Sequence, residues 1–201
     1  MEPQKKSLIA TERDEAARQV WREEVAQVAA HQLVFVDECG SHLALTPLYA
    51  YAPRGERAVS SVPKNRGKNT TIMGALTLSG VEAAMTLEGA ADGAAFEVFV
   101  ERILLPVLHL GQIVVMDNLN IHKSHRVRQL IEGAGCRVWF LPTYSPDLNP
   151  IEKAWSKLKE YLRRVGARTR ETLDQAISSG LDTITAQDAI HWFRHCGCHF
   201  I

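Results

Sequence analysis

Three carboxylates in this 201-residue chain fall where chemistry could use them. Asp37 ends the apolar run Leu33-Val34-Phe35-Val36, and Asp117 ends the run Ile113-Val114-Val115-Met116. Glu152 closes the stretch Ser145-Pro146-Asp147-Leu148-Asn149-Pro150-Ile151-Glu152. Short β-branched runs of this kind read as buried strands. In an open sheet, ligand chemistry gathers at the carboxyl ends of parallel strands. Acids delivered there by two neighbouring strands can share a hard cation such as Mg²⁺, which takes carboxylate oxygens, water and phosphate as ligands. Two such ions can activate a nucleophile and stabilise the leaving oxygen of a phosphodiester. Each acid also has a structural reading. Asp37 and Asp117 suit strand-end turns. Asn149 suits an N-cap, with Pro150 at the first helical position and Glu152 at the third, which is a capping arrangement in its own right. Asp147 is the rival for third ligand and reads as a turn residue.

The elements that must position these acids follow from periodicity. Residues 11–30 read as a helix capped by Thr11, with Val20, Trp21, Val25 and Val28 on its apolar face. Strands are expected over 33–36, 48–60 (broken by Pro53 and Gly55), 70–79 and 81–87, close enough in sequence to pair antiparallel. A helix over 92–108 carries Asp92 near its start. A strand over 112–116, a helix over 123–134, a strand over 137–141 and a helix over 150–165 follow. Alternation late in the chain implies parallel neighbours there. The expected class is therefore α/β, organised as an N-terminal helix (1–31), a central domain (32–168) and a helical tail (169–201).

Composition narrows the function classes. With 46% hydrophobic residues the chain can bury one substantial core. Lys and Arg total 23, as do Asp and Glu, so bulk charge does not mark a nucleic-acid binder. Any DNA contact must come from local patches. Arg54, Arg57, Lys64, Arg66 and Lys68 form one, read either as a phosphate-contacting edge or as a solvated loop. No apolar run is long enough for a membrane span, no secretory signal core opens the chain, and four irregularly spaced cysteines fit a reducing cytosol. His191, His195, Cys196, Cys198 and His199 are read as part of the helical tail and not as a zinc site.

Four segments carry a family resemblance: LVFVDECG, YAPRGER, VVMDNLNIHKS and LPTYSPDLNPIEKAWSKLK, with 34 residues between Asp117 and Glu152. In these the chain resembles the DDE transposases of bacterial insertion sequences in the mariner-like superfamily. The resemblance implies a ribonuclease-H-like fold, a mixed five-stranded sheet flanked by helices. It implies metal-dependent DNA cleavage at transposon ends, then transfer of the freed 3′-hydroxyl into target DNA. Asp37, Asp117 and Glu152 would hold two Mg²⁺ or Mn²⁺ ions, with Asn118 and His122 in supporting roles. Partners would be transposon-end and target DNA, an upstream helix-turn-helix recognition half, and a second copy of the chain. The setting would be the bacterial cytoplasm, at the nucleoid. Two alternatives stand beside this: a simple nuclease without strand transfer, and a non-catalytic remnant that regulates a full-length transposase.

Overall fold

The computed structural model describes residues 10–200; residues 1–9 and 201, the outer ends of the expected N-terminal and C-terminal segments, lie outside them. A single five-stranded sheet runs through the molecule in the order β3-β2-β1-β4-β5. Its strands are β1 (Leu33–Ser41), β2 (Thr70–Thr77), β3 (Gly80–Glu88), β4 (Ile113–Met116) and β5 (Arg137–Phe140). The first three pair antiparallel, and β4 and β5 join parallel, as the switch to strand-helix alternation implies.

The central strand β1 is apolar at successive positions because both of its faces are covered. Leu33, Phe35 and Cys39 face a core shared with α1 (Glu15–Val25), α4 (Ile151–Val165), α5 (Arg170–Asp182) and α6 (Ala186–His195), through Trp21, Trp155, Leu158, Ile177 and Phe193. Val34 and Val36 face the opposite core, built from α2 (Gly93–Phe99), the single π-turn that continues it to Leu104, and α3 (His125–Gly133). Because strand side chains alternate, Asp37 falls on the α4 face and Glu38 on the α2–α3 face.

Several local expectations change in three dimensions. β1 does not stop at Val36. It continues to Ser41 because β2 offers an antiparallel partner from Leu76 back to Thr70, while parallel pairing to β4 ends at Phe35–Val115. Asp37 therefore lies within a strand, but just past the carboxyl end of its parallel portion. Residues 48–60 form no strand. Pro47, Pro53 and Pro63 punctuate an exposed segment, and proline cannot donate to a ladder. Helix α1 starts later than expected, capped by Asp14, whose Oδ1 accepts from the Ala17 N–H at 3.0 Å. Its buried face uses Arg18, Trp21 and Val25, whereas Val20 is 52% exposed.

Helix α4 approaches the sheet closely at one point. Gly74 of β2 pairs with Asp37 of β1, and a Cβ at Gly74 would stand 2.7 Å from Trp155 Cη2. The missing side chain lets the Trp155 ring approach the strand closely, which brings α4 near β1 and β2 at this point.

Candidate active site

Asp37, Asp117, Asn118, Asn149 and Glu152 line one open cavity of ≈ 400 Å³. They arrive from three elements: mid-β1, the residue after β4, and the turn leading into α4. Asp37 is 7% exposed. Its Oδ1 accepts from the Glu38 N–H at 2.8 Å and its Oδ2 from Asn149 Nδ2 at 3.0 Å. Burial pushes its carboxyl up to about 8; the Glu38 N–H opposes the shift, and the charges of Glu152, Glu38 and Asp117 add to it. Glu152, in the first turn of α4, is also raised by burial and by Asp117, with Lys159 opposing. Among the described residues, no three side chains of ligating type are already gathered round one point. The three acids line the same cavity.

Asp117 belongs to a second group beneath the cavity. Its Oδ1 accepts from the Leu119 N–H at 3.0 Å and lies 2.6 Å from His122 Nδ1. His122 Nε2 reaches Glu38 Oε2 at 3.0 Å. The imidazole is 1% exposed and packs on Phe96 with ring centroids 4.5 Å apart. Burial alone would lower its pKa, but hydrogen bonds to Asp117 and Glu38 outweigh it and lift the value to about 9. At neutral pH His122 is therefore an imidazolium between two carboxylates.

The expected supporting pair thus divides. His122 grips Asp117 from below, whereas exposed Asn118 donates to Thr143 Oγ1 at 3.2 Å on the cavity rim. Asp147, the rival ligand, is turned away: Arg18 Nη1 and Nη2 hold its two oxygens at 2.9 and 2.6 Å. Arg18 is fully buried and half-exposed Asp147 is its counter-charge. Asn149 does not cap α4, whose start has no side-chain cap; its amide goes to Asp37 instead. Arg54, Arg57, Lys64 and Arg66 lie on the exposed segment between β1 and β2 and do not line the cavity. Lys68, on the same segment, pairs with Glu88 at 2.6 Å. Two residues escaped the sequence reading. Glu38 is given no role there, although strand alternation sends it to the opposite face, where it meets His122. Tyr144 lines the cavity and is the one non-glycine among the described residues with positive φ, 55°, a conformation proteins tolerate mostly at functional sites.

Residues 32–174 match the family described as DDE superfamily endonuclease. The chain belongs to that family. Its fold is that of solved mariner transposases. A pre-cleavage Mos1 transpososome superposes with a TM-score of 0.79 at 17% identity, covering 98% of this chain and 64% of that one. The Mos1 strand transfer complex gives 0.78 at 18%, covering 98% and 63%. The isolated catalytic domain of Mos1 mariner transposase gives 0.64 at 15%, covering 91% and 86%. The chain thus spans under two thirds of the length of the Mos1 chains in those two complexes, and at these identities the likeness shows the ribonuclease-H-like fold. No curated protein matches this DDE-family chain by sequence. Among the described residues no helix is long and apolar enough to cross a membrane.

Proposed function

We propose that the chain is the catalytic domain of a cut-and-paste DNA transposase, with Asp37, Asp117 and Glu152 holding two Mg²⁺ or Mn²⁺ ions. The observation that carries this reading is the shared cavity into which β1, β4 and α4 deliver those three acids. The donor set fits the cations. It is three carboxylates on one cavity, the hard oxygen ligands that such cations take. Mos1 paired-end complexes are known with Mn and with Mg, in agreement with that choice. Bound there, divalent cations would activate the attacking hydroxyl and stabilise the leaving oxygen.

The chain's own residues then orient and neutralise. Asp37 and Glu152 line the reacting space, while the His122 imidazolium holds Asp117 and offsets its charge. In the first step a water oxygen bonds to phosphorus at the transposon end as the bond to the 3′ oxygen breaks, freeing a 3′-hydroxyl. In the second, that hydroxyl attacks a target phosphodiester and displaces its 3′ oxygen. Arg54, Arg57, Lys64, Arg66 and Lys68 are proposed to touch backbone phosphates outside the cavity. A helix-turn-helix recognition region, a second copy of the chain and a nucleoid setting complete the proposal.

The test is cleavage of DNA carrying the element's ends, with Mg²⁺ or Mn²⁺, beside an Asp117→Asn variant. Nicking at the ends should fall by about 10³-fold in the variant. Nicking without joining to target would instead favour a simple nuclease. No cleavage with either metal would favour a non-catalytic remnant, and cleavage indifferent to Asp117→Asn would sink the site assignment.

A further inference from the structure

Asn149 breaks two structural rules at once. An asparagine just ahead of a helix ordinarily turns its side chain back to accept from the first free N–H groups. Here α4 starts without any side-chain cap. Asn149 is 3% exposed, yet its Oδ1 is buried with no hydrogen-bond partner. The Glu152 and Lys153 N–H groups reach the backbone carbonyls of Asn149 and Pro150 instead, but the unpaired buried side-chain carbonyl costs stability. What Asn149 makes in exchange is one bond, from Nδ2 to Asp37 Oδ2 at 3.0 Å, to a residue 112 positions away in the chain.

That bond completes the hold on Asp37. The Glu38 N–H takes one carboxylate oxygen and Asn149 the other, so the carboxylate plane is fixed with one lone-pair direction free on each oxygen. The turn carrying Asn149 is itself anchored. Two residues earlier, Asp147 is gripped by both terminal nitrogens of buried Arg18. Three residues later comes Glu152. Asn149 therefore ties the spacing between Asp37 and the start of α4 to a rigid turn.

We propose that Asn149 is a positioning residue of the metal site, aiming the Asp37 carboxylate at a cation, and that it is retained at the expense of local stability. This rests on the metal reading given above. Outer partners of metal ligands typically change affinity by about 10–100-fold when removed.

The experiment is titration of the whole chain with Mn²⁺ alone, by calorimetry, alongside urea unfolding of the metal-free protein. Asn149→Leu keeps the bulk and removes the donor; Asn149→Ala removes both and serves if the leucine fails to fold. The expected result is Mn²⁺ binding weakened by about tenfold or more, with an unfolding midpoint equal to or above that of the unaltered chain. A lowered midpoint with affinity kept within about twofold means a merely structural asparagine, and the proposal falls. If the unaltered chain binds no Mn²⁺, the metal reading itself fails. The proposal then falls with it, and the Asp37 carboxyl carbon resonance of the metal-free chain separates the two failures: displacement in Asn149→Leu leaves Asn149 as the residue that holds Asp37 in a metal-free fold, and an unmoved signal overturns the Asn149–Asp37 bond as well.

Discussion

Two groups of carboxylates meet at Asp117, and they are solved differently. On the α2–α3 side of the sheet, Glu38 and Asp117 enclose His122, which is charged at neutral pH and supplies their counter-ion from within the chain. On the α4 side, Asp37 and Glu152 share a cavity with Asp117, and burial raises both of them; the one cation that tempers Glu152 is Lys159. The first group is electrostatically closed. The second is built at a cost, in keeping with the cation site proposed there. Adjacent residues, Asp37 and Glu38, belong to opposite solutions because a strand turns successive side chains to opposite faces.

Breaking the closed group should have the larger effect on stability. His122→Leu leaves the partly exposed carboxylates of Glu38 and Asp117 without a counter-ion and removes two charge-assisted hydrogen bonds. The expected loss is about 2 kcal/mol, read from urea unfolding. A loss no greater than that of an ordinary surface substitution would mean the imidazole is not the charge that closes this group.

The open group should behave in the opposite sense. The folded-state pKa of Asp37 is about 8 against an ordinary 3.8, so the folded chain keeps a proton that the unfolded chain has already released. Its stabilising contribution is full below about pH 4 and is lost as pH rises towards 8. Asp37→Asn removes that slope. Without metal, the variant should gain on the unaltered chain between pH 4 and pH 8, by a few degrees in melting temperature. If Asp37 holds the metal as proposed, saturating Mn²⁺ should reverse the order, because the unaltered chain gains more from binding. A melting difference that is flat with pH would mean Asp37 is not strained in the fold.

The smallest effect is expected outside both groups. Arg54 and Arg57 are exposed and belong to neither core, so melting of the Arg54→Ala, Arg57→Ala variant should not change. If both arginines contact phosphates, the salt dependence of DNA binding should flatten by about one unit of slope per residue removed. An unchanged slope would confine the DNA contact to the cavity and its rim.

Much of this was readable from local pattern. Asp37 and Asp117 follow β-branched runs, Glu152 falls in the first turn of a strongly periodic helix, and the strand-helix alternation marks where the sheet turns parallel. These features depend on near neighbours in the chain, so a linear reading finds them. The segment over 48–60 misled because Tyr49, Tyr51 and Val59 have strand propensity, and only the absence of a partner strand shows that it goes unused. Tertiary structure alone decided which face each acid serves and what holds it. His122 reaches Glu38 across 84 positions, Asn149 reaches Asp37 across 112, and Arg18 reaches Asp147 across 129. The residue types of those partners say that they can form hydrogen bonds; their spacing does not say with whom. Asn149 is the clearest case. Its sequence neighbours call for a helix cap, and the proximity of Asp37, set by Trp155 packing over Gly74, outbids them.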